Sequence, residues 1–348
     1  MRSVERSTIH PPRPDVQRRR SLLAGAAIGV TGGAAGLVGS LAACDAFAQA
    51  ADFPSRPLKF LVPFPPGSGT DTGARYFGKK ISEITGQPVV VENRPGANGF
   101  IAVQAVLNAP PDGYTLFVGS NSTLATNAAL FKKLPYDPVA DFTPLSMLSR
   151  APVMLIVPPN SPFKSIAELV DAARKQPGKL NYASGSAGYQ LMSEMFNETA
   201  KVEILAVPYK GASEAIGAVA SGNADFAVVD ITGAIELARS GRVRALAIAS
   251  EKRSTEMPNI PTAIEAGLPG YTAFTWVAAM APAKTPKAIT DRLSELFVKV
   301  LALPETRDYF ARLNADLMPG GPAAMRTFQL AEIERWKRIA KNAKVEQE

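Results

Sequence analysis

Short apolar segments alternate with segments of helical periodicity along most of this chain, and that alternation limits the fold more than any other feature. The first three apolar segments are Leu58–Pro63, Val89–Val91 and Tyr114–Val118. Before Gly86, one helical face is expected to carry four apolar residues: Ala74, Phe77, Ile81 and Ile84. Strands that alternate with helices form a parallel sheet with helices on both faces. The sequence therefore predicts an α/β fold.

The alternation continues through a second region. Further strands are predicted at Val153–Val157, Leu180–Ala183, Ile204–Val207, Phe226–Val229, Ala245–Ala249 and Ala273–Met280. Ser165 is expected to cap a helix that turns Ile166 and Leu169 inward. Two more helices are expected near residues 287–302 and 323–341. This second run of strands and helices indicates a second α/β domain.

Four loops rich in small polar residues each follow a predicted strand and open a helix: Gly67–Asp71, Ser120–Thr123, Ser184–Gly188 and Asp230–Gly233. Such loops present free backbone N–H groups and the positive end of a helix dipole. Ligands of open parallel sheets bind at this edge, and anions are favoured there. Each loop alone is also typical of an ordinary turn with a helix cap. The four together predict a site for a small anion.

Residues 1–50 are predicted to be an export signal rather than part of the fold. Arg18–Arg20 precede an uncharged run rich in alanine, glycine, leucine and valine that extends to Ala43. A basic segment, an apolar run and a small-residue exit are the features of a signal peptide. The alternative is a single membrane anchor, which is disfavoured because so many glycines and alanines make the run weakly hydrophobic.

Two processing signals compete in this segment. Ala48–Ala50 fits ordinary signal peptidase, and the preferred interpretation is a cut after Ala50. Leu41–Cys44 resembles a lipobox, in which Cys44 would be lipidated. The consecutive arginines also resemble a twin-arginine signal, so the export route stays open. Under either form of processing, the sequence predicts an exported protein.

The charge of the chain indicates no nucleic-acid partner. The net charge is +7, and residues 1–50 hold six of the 38 basic and three of the 31 acidic residues, which leaves about +4 on the remainder. This modest positive balance suits anionic ligands. There is no basic cluster interleaved with aromatics and no RRM, KH or helix-turn-helix pattern.

Residues 51–348 contain neither histidine nor cysteine, since His10 and Cys44 are the single representatives of their types. Nucleophilic triads that need histidine cannot be assembled, and zinc and copper lose their usual ligands. The P-loop and G-x-G-x-x-G motifs are absent as well. An all-carboxylate Mg²⁺ or Ca²⁺ site stays open, but no D-x-D-x-D-G loop appears. The preferred prediction is no cofactor and no metal, while acid–base work by a carboxylate or lysine also stays open.

Short motifs follow one another in a fixed order along the chain. They are Phe53–Pro57, Val62–Asp71, Val91–Gly99, Pro111–Leu116, Leu134–Pro138, Pro177–Ser184, Val207–Gly211, Gly241–Ala247 and Ala281–Pro286. This colinear set resembles the tripartite tricarboxylate transporter receptors, also called the Bug family. Each motif alone is weak, but their order covers essentially the whole chain after residue 51.

The resemblance implies a two-domain, periplasmic-binding-protein-like α/β fold of the Venus-flytrap, type II-like kind, with a hinge and a central ligand cleft. Domain 1 is expected to be discontinuous, over residues 51–148 and 252–348, and domain 2 to cover 149–251. The implied function is capture of a small carboxylate by domain closure and delivery to the membrane permease subunits of such a transporter. The resemblance implies a periplasmic monomer that is not an enzyme.

Carried onto this sequence, the family pattern nominates loops of both domains as carboxylate contacts. Together with Lys210 and Asp230, the candidate ligand-binding residues are Gly67, Ser68, Gly69, Thr70, Asp71, Ser120, Asn121, Ser184, Ser186, Ala187 and Gly188. The sequence departs from the family after Ser184, where relatives commonly have a longer loop followed by histidine and this chain has Gly185–Gln190. The pocket wall is expected to differ there.

Several of these residues have an alternative interpretation. Asp71 and Asp230 are also suited to capping helices. Lys210 is also typical of a solvated lysine. Trp276 fits either a pocket cover or a core position, and Arg94 is expected to tie down its loop through backbone carbonyls.

Two alternative functions stay open. A secreted enzyme would use the Ser184–Ser186 loop with Lys210 as base. A sensor subunit would pass the ligand-bound state to a membrane kinase.

Overall fold

The computed structural model describes residues 53–343 and 345–347. The predicted export signal, the cut after Ala50 and the lipidation of Cys44 lie outside the described residues. Within the described part, the strands are β1 (Leu58–Val62), β2 (Val89–Asn93), β3 (Thr115–Ser120), β4 (Phe142–Val157), β5 (Asn181–Ser184), β6 (Leu205–Pro208), β7 (Phe226–Asp230), β8 (Arg244–Ile248), β9 (Phe274–Pro282) and β10 (Asp316–Leu317).

Helices cover most of the remaining chain. They are α1 (Gly69–Thr85), α2 (Phe100–Leu107), α3 (Asn127–Leu130), α4 (Ile166–Lys175), α5 (Ala187–Ala200), α6 (Ala212–Ala220), α7 (Ile231–Arg239), α8 (Lys287–Leu301), α9 (Pro304–Arg312) and α10 (Pro322–Asn342). A turn of π-helix covers Ser122–Thr126. Among the described helices, none combines the length and the apolarity needed to cross a bilayer.

The strands form one curled sheet in the order β2-β1-β3-β9-β4-β7-β5-β6, with β8 and β10 also paired to β4. Strand β4 joins two parts of this sheet. Its residues 142–152 pair with β9, and its residues 153–156 pair with β7. We call β1, β2, β3, β9 and β10 the first half-sheet, and β5, β6, β7 and β8 the second half-sheet.

The chain passes between the half-sheets twice. It enters the second half-sheet within β4, between Pro152 and Val153, and returns between β8 and β9. The crossings predicted near residues 149 and 251 fall close to these passages. The division into two domains itself stays a prediction.

The expectation of a parallel sheet is correct only in part. Strand β1 is parallel to β2 and β3, and β5 is parallel to β6 and β7. Strands β4 and β9 run antiparallel to their neighbours. No single strand–helix–strand unit joins β3 to β9, so the rule that makes such neighbours parallel does not apply to them.

The sequence also missed the first two thirds of β4. Only Val153–Val157 was expected as a strand, because prolines and polar residues interrupt the apolar pattern before it. The structure accommodates them through register shifts between Pro144 and Ser146 and between Met147 and Ser149. Shifts of this kind let a strand continue across residues that would break a regular ladder.

The core has two layers, one on each face of the sheet. Val153, Leu155 and Val157 belong to one layer, whereas Met154 and Ile156 belong to the other. This alternation follows from the period of two in a strand, and β4 is buried on both faces. Helices cover both faces of the sheet. Because the strands are then buried on both faces, they appear in the sequence as short continuous apolar runs.

Two predictions about helix faces have different outcomes. Ser165 caps α4, since its Oγ accepts a hydrogen bond from the Glu168 N–H at 3.2 Å, and Ile166 and Leu169 are buried as expected. Ala74, Phe77 and Ile81 of α1 are buried, but Ile84 is 42% exposed. The expectation for Ile84 was wrong, because Ile84 lies in the last turn of α1, which ends at Thr85, and is not covered there.

Candidate functional site

A cavity of about 30 Å³ lies between loops of the two half-sheets. The four loops singled out in the sequence all reach it. They follow β1, β3, β5 and β7, so the cavity lies at the carboxyl ends of the parallel strands of both half-sheets. This is the edge where ligands of open α/β sheets bind.

The loop after β1 is held by Asp71. Ser68 caps α1, with its Oγ accepting from the Asp71 N–H at 3.2 Å. The Asp71 carboxylate in turn accepts from the Gly67 N–H at 3.0 Å, from Asn93 Nδ2 at 2.8 Å and from Arg75 Nε at 3.0 Å. Asp71 is buried and does not line the cavity. Its carboxylate therefore fixes the loop that presents Ser68 and Gly69.

The loop after β3 supplies amide and hydroxyl groups. Asn121 is 1% exposed, lines the cavity, and has no hydrogen-bond partner at Nδ2 within the described part of the chain. The π-helical turn that follows is braced from behind, because Gln329 Nε2 donates to the Leu124 carbonyl at 2.9 Å and Tyr136 donates to the Thr123 carbonyl at 2.6 Å. These contacts hold the Asn121 backbone in place.

The loop after β5 contacts the loop after β3 directly. Ser186 Oγ lies 2.9 Å from Ser122 Oγ, and the Gly188 N–H donates to Ser122 Oγ at 3.2 Å. A side chain at Gly188 would lie 2.6 Å from Asn121 Nδ2. A side chain at this position would displace the Asn121 and Ser122 side chains, so glycine favours the close approach of the two loops.

The loop after β7 places the Asp230 carboxylate at the cavity wall. Asp230 caps α7 by accepting from the Gly233 N–H at 2.9 Å and also accepts from the Thr232 hydroxyl. Tyr189 Oη donates to the other carboxylate oxygen at 2.6 Å. Burial, then the charge of Asp230, raises the pKa of Tyr189 well above its usual range. The phenol is therefore neutral and acts as a donor to Asp230.

Asp230 gives the cavity its charge. The other lining groups are serine, threonine, asparagine and apolar residues with neutral Tyr189, and no lysine or arginine of residues 53–343 lines it. The N-termini of α1, α5 and α7 bring positive partial charge to the same space. The cavity thus combines one carboxylate with backbone and hydroxyl donors.

Seven of the thirteen candidate residues line this cavity: Ser68, Gly69, Thr70, Ser120, Asn121, Ser186 and Asp230. The other six do not: Gly67, Asp71, Ser184, Ala187, Gly188 and Lys210. Ser184 Oγ donates to the Ser186 carbonyl at 3.1 Å and so supports the loop from within.

Lys210 is exposed and lies at a different cavity. That second cavity has a volume of about 340 Å³ and is also lined by Phe64, Asn98, Tyr209 and Glu214. The placement matches the interpretation of Lys210 as a solvated lysine rather than a partner within the smaller cavity.

Sequence reasoning missed several residues that line the smaller cavity. Ser122 and Thr232 fall inside the loops that were singled out, and Tyr189 stands one helical position beyond them, so loop position alone could have found them. Ser149 comes from the middle of β4, and Thr275 from the start of β9. No loop signal marks either residue. The sequence did not show that β4 extends to Ser149, and it did not show that β9 pairs with β4 beside the cavity.

Two structural roles are settled by contacts. Trp276 is 1% exposed and donates through Nε1 to Glu332 at 3.1 Å, so it is a core residue rather than a pocket cover. The guanidinium of Arg94 pairs with Glu92 at 2.6 Å instead of with backbone carbonyls. The expectation for Arg94 was wrong because an acidic neighbour two residues away offers a stronger, charge-assisted partner.

No group of three or more histidine, cysteine, aspartate or glutamate side chains is placed to hold a metal ion anywhere in residues 53–343 and 345–347.

Comparison with known proteins gives a consistent result over most of the chain. The family model described as "Tripartite tricarboxylate transporter family receptor" matches residues 74–345. Protein BugT of Bordetella pertussis is 35% identical over 292 residues, which cover 83% of this chain and 90% of BugT.

Two solved structures share the fold. A Rhodopseudomonas palustris protein, Rpa4515 with adipate, is 34% identical and superposes with a TM-score of 0.82 over 85% of this chain and 100% of its own. The periplasmic binding protein BugD is 30% identical, with a TM-score of 0.81 over 85% of this chain and 100% of its own. These matches confirm the predicted periplasmic-binding-protein-like fold.

Proposed function

The chain belongs to the family of tripartite tricarboxylate transporter receptors, and from that premise we propose that it captures a small carboxylate by closure of its two half-sheets. The observation that carries the proposal is the cavity itself. It is built from four loops, two of each half-sheet, and is lined by hydroxyl, amide and backbone donors. Receptors of this family bind solutes and are periplasmic.

Closure is supported by the position of the cavity. Loops of both half-sheets form its wall, and two of these loops contact each other, since Ser186 Oγ lies 2.9 Å from Ser122 Oγ. A ligand therefore enters only when the half-sheets are further apart. Hydrogen bonds to loops of both half-sheets would then favour the closed form, because a ligand shifts an equilibrium toward the form it contacts more.

A carboxylate is the ligand class that the wall chemistry favours. Helix N-termini and their caps provide N–H and hydroxyl donors, which bind anions. The related R. palustris protein was solved with adipate, a dicarboxylate. We propose that this chain also binds a carboxylate, and we do not propose adipate itself as its ligand.

The proposal also covers the cellular context. A receptor of this kind delivers its ligand to the membrane permease subunits of a tripartite tricarboxylate transporter, after export and removal of residues 1–50. The two half-sheets would act as domains 51–148 plus 252–348 and 149–251, with β4 within the hinge. The cell would then lose uptake of the ligand when either the receptor gene or the permease genes are deleted.

Binding is tested by thermal melting of the full chain after expression and refolding from denaturant. The panel holds mono-, di- and tricarboxylates and amino acids. A ligand at a hundredfold its dissociation constant adds roughly 2.7 kcal/mol to the free energy of unfolding, which raises the melting temperature by several degrees. If no compound of the panel raises the melting temperature, the proposal is contradicted.

The rival enzyme is tested in the same samples by hydrolysis of ester and amide probes. The structure offers it little support, since Ser184 Oγ donates to the Ser186 carbonyl and Lys210 is exposed at the other cavity. Turnover that Ser184→Ala or Lys210→Ala abolishes would overturn the receptor proposal.

A further inference from the structure

The cavity wall carries one carboxylate with no cationic side chain of residues 53–343 beside it. Asp230 is 1% exposed, and no basic side chain of the described residues lines the same cavity. Buried carboxylates are normally paired with a cation or fully hydrogen-bonded. Tyr189, Thr232 and Gly233 supply neutral donors to Asp230, but none supplies a positive charge.

One acceptor position on this carboxylate is free. Oδ1 accepts from the Thr232 hydroxyl and the Gly233 N–H, which uses both of its lone pairs. Oδ2 accepts from Tyr189 alone. Asp230 can therefore take one more donor at Oδ2 without losing its existing hydrogen bonds.

One donor across the same cavity is also free. Asn121 Nδ2 is buried and makes no hydrogen bond to any described residue. Buried polar atoms are seldom left without a partner, and an exception calls for an explanation. A ligand at this wall can therefore accept a hydrogen bond from Asn121 and donate one to Asp230.

We propose that the ligand carries an ammonium group as well as a carboxylate, as amino acids do. The inference rests on the proposed receptor function and narrows its ligand class. The carboxylate accepts from Asn121 and the loop N–H groups, and the ammonium group donates to Asp230. A zwitterion brings no net charge into a wall that is already negative, whereas a dicarboxylate adds two negative charges with no cation to offset them.

The test compares ligands that differ in one substituent. Three carbon skeletons are used, each as the plain acid, the 2-hydroxy acid and the 2-amino acid: propionate, lactate and alanine; succinate, malate and aspartate; glutarate, 2-hydroxyglutarate and glutamate. Titration calorimetry on the refolded full chain gives a dissociation constant for each. For the skeleton that fits, the amino member should bind at least roughly tenfold more tightly than the plain acid, as expected for a hydrogen bond to a charged group.

Asp230→Asn isolates the charge. Asparagine is as good a helix cap as aspartate, so α7 is retained, and thermal melting confirms that the variant folds. The variant should lose roughly tenfold or more of its affinity for the amino member and should gain affinity for the plain acid. Asp225→Asn is the matched control, because Asp225 flanks the same strand, accepts from the Asn181 N–H and lies away from the cavity.

The outcomes separate the two proposals. A preference for the amino member that Asp230→Asn removes and Asp225→Asn retains supports the inference. Binding of plain acids as tightly as their amino counterparts, or an unchanged ranking in Asp230→Asn, overturns it while the receptor function stands. If no member of any set binds, and no compound of the wider carboxylate panel raises the melting temperature, both proposals fail.

Discussion

At Gly69, the first residue of α1, the two half-sheets approach so closely that no side chain fits. An added methyl group would lie 2.6 Å from both Asp230 Oδ1 and Thr232 Oγ1. The backbone there is helical and suits alanine as well as glycine. The requirement for glycine therefore comes from the contact across the cavity and not from backbone strain.

We expect Gly69→Ala to weaken ligand binding while leaving the fold intact. Forcing a methyl group into a packed contact costs about 1–3 kcal/mol. Under the proposed capture by closure, that cost falls on the form in which the half-sheets are in contact, and it becomes roughly a 5- to 150-fold loss of affinity. Calorimetric titration with the best ligand of the panel measures it.

Gly217→Ala is the matched control. Gly217 lies in α6 with no atom within 4 Å of an added methyl group. Alanine there should raise the free energy of unfolding by about 0.5–1 kcal/mol and leave affinity unchanged. Equal affinities for Gly69→Ala and Gly217→Ala would refute the proposed closure at this point.

At single positions, the sequence predicted candidate loops better than it predicted roles. Ser68, Asn121 and Asp230 reach the cavity, because small polar residues after a parallel strand are placed at the ligand edge by the topology itself. Asp71 does not, although it is in the same loop, because Asn93 and Arg75 contact its carboxylate. Partners distant in sequence decide which way such a side chain turns.

Among the helices, α10 is tied to β9 through one buried carboxylate. Glu332 Oε2 accepts from Trp276 Nε1 at 3.1 Å and from Trp336 Nε1 at 3.2 Å. Its other oxygen accepts from Arg335 at 3.2 Å. Both indoles are fully buried, so each N–H depends on this partner.

We expect Glu332→Ala to destabilise the protein strongly. Two buried N–H groups lose their acceptor, and each costs roughly 1–3 kcal/mol when left unpaired. Urea unfolding followed by tryptophan fluorescence measures the loss directly, since Trp276 and Trp336 are the two tryptophans of the chain.

Two further variants serve as controls for the loss of stability in Glu332→Ala. Glu332→Gln keeps an acceptor for the indoles and should cost less than Glu332→Ala. Glu334→Ala removes an exposed ion pair to Lys337 on the same helix, and should change stability by less than about 0.5 kcal/mol. A loss in Glu334→Ala equal to that in Glu332→Ala would show that the indole contacts contribute nothing.

The helices and short strands were predictable because each is a local pattern of apolar residues between turns. Strand β4 was not, over residues 142–152. Its prolines and serines break the local pattern, and only pairing with β9, more than a hundred residues later, keeps that segment extended. The antiparallel direction of β9 was not predicted for the same reason, since the direction depends on where the chain returns to the sheet rather than on local sequence.

Over the whole molecule, the half-sheets meet through contacts that leave no room for side chains. A methyl group at Gly188 would lie 2.6 Å from Asn121 Nδ2, and one at Gly211 would lie 2.4 Å from Pro65 Cδ. Ser213 Oγ also donates to the Pro66 carbonyl at 3.1 Å. These contacts are spread along the boundary between the half-sheets.

We expect the double variant Gly188→Ala, Gly211→Ala to remain more open than the wild type when ligand is bound. Both positions have backbone conformations that alanine adopts, so folding should be retained. Small-angle scattering should give a larger radius of gyration for the ligand-saturated variant. A radius identical to that of the ligand-bound wild type would show that closure does not depend on these contacts.

The path of β4 through both half-sheets has a consequence for the order of events during synthesis. All partner strands of the second half-sheet, β5 to β8, lie between residues 181 and 248, so it can assemble as soon as that stretch has emerged. In the first half-sheet, β3 pairs with β1 on one side and with β9 on the other. Until residue 282 is made, one edge of β3 presents unpaired N–H and C=O groups, which invite pairing with other chains. A growing chain therefore has an aggregation-prone edge for more than 150 residues of elongation, and this segment is where we expect a chaperone to bind.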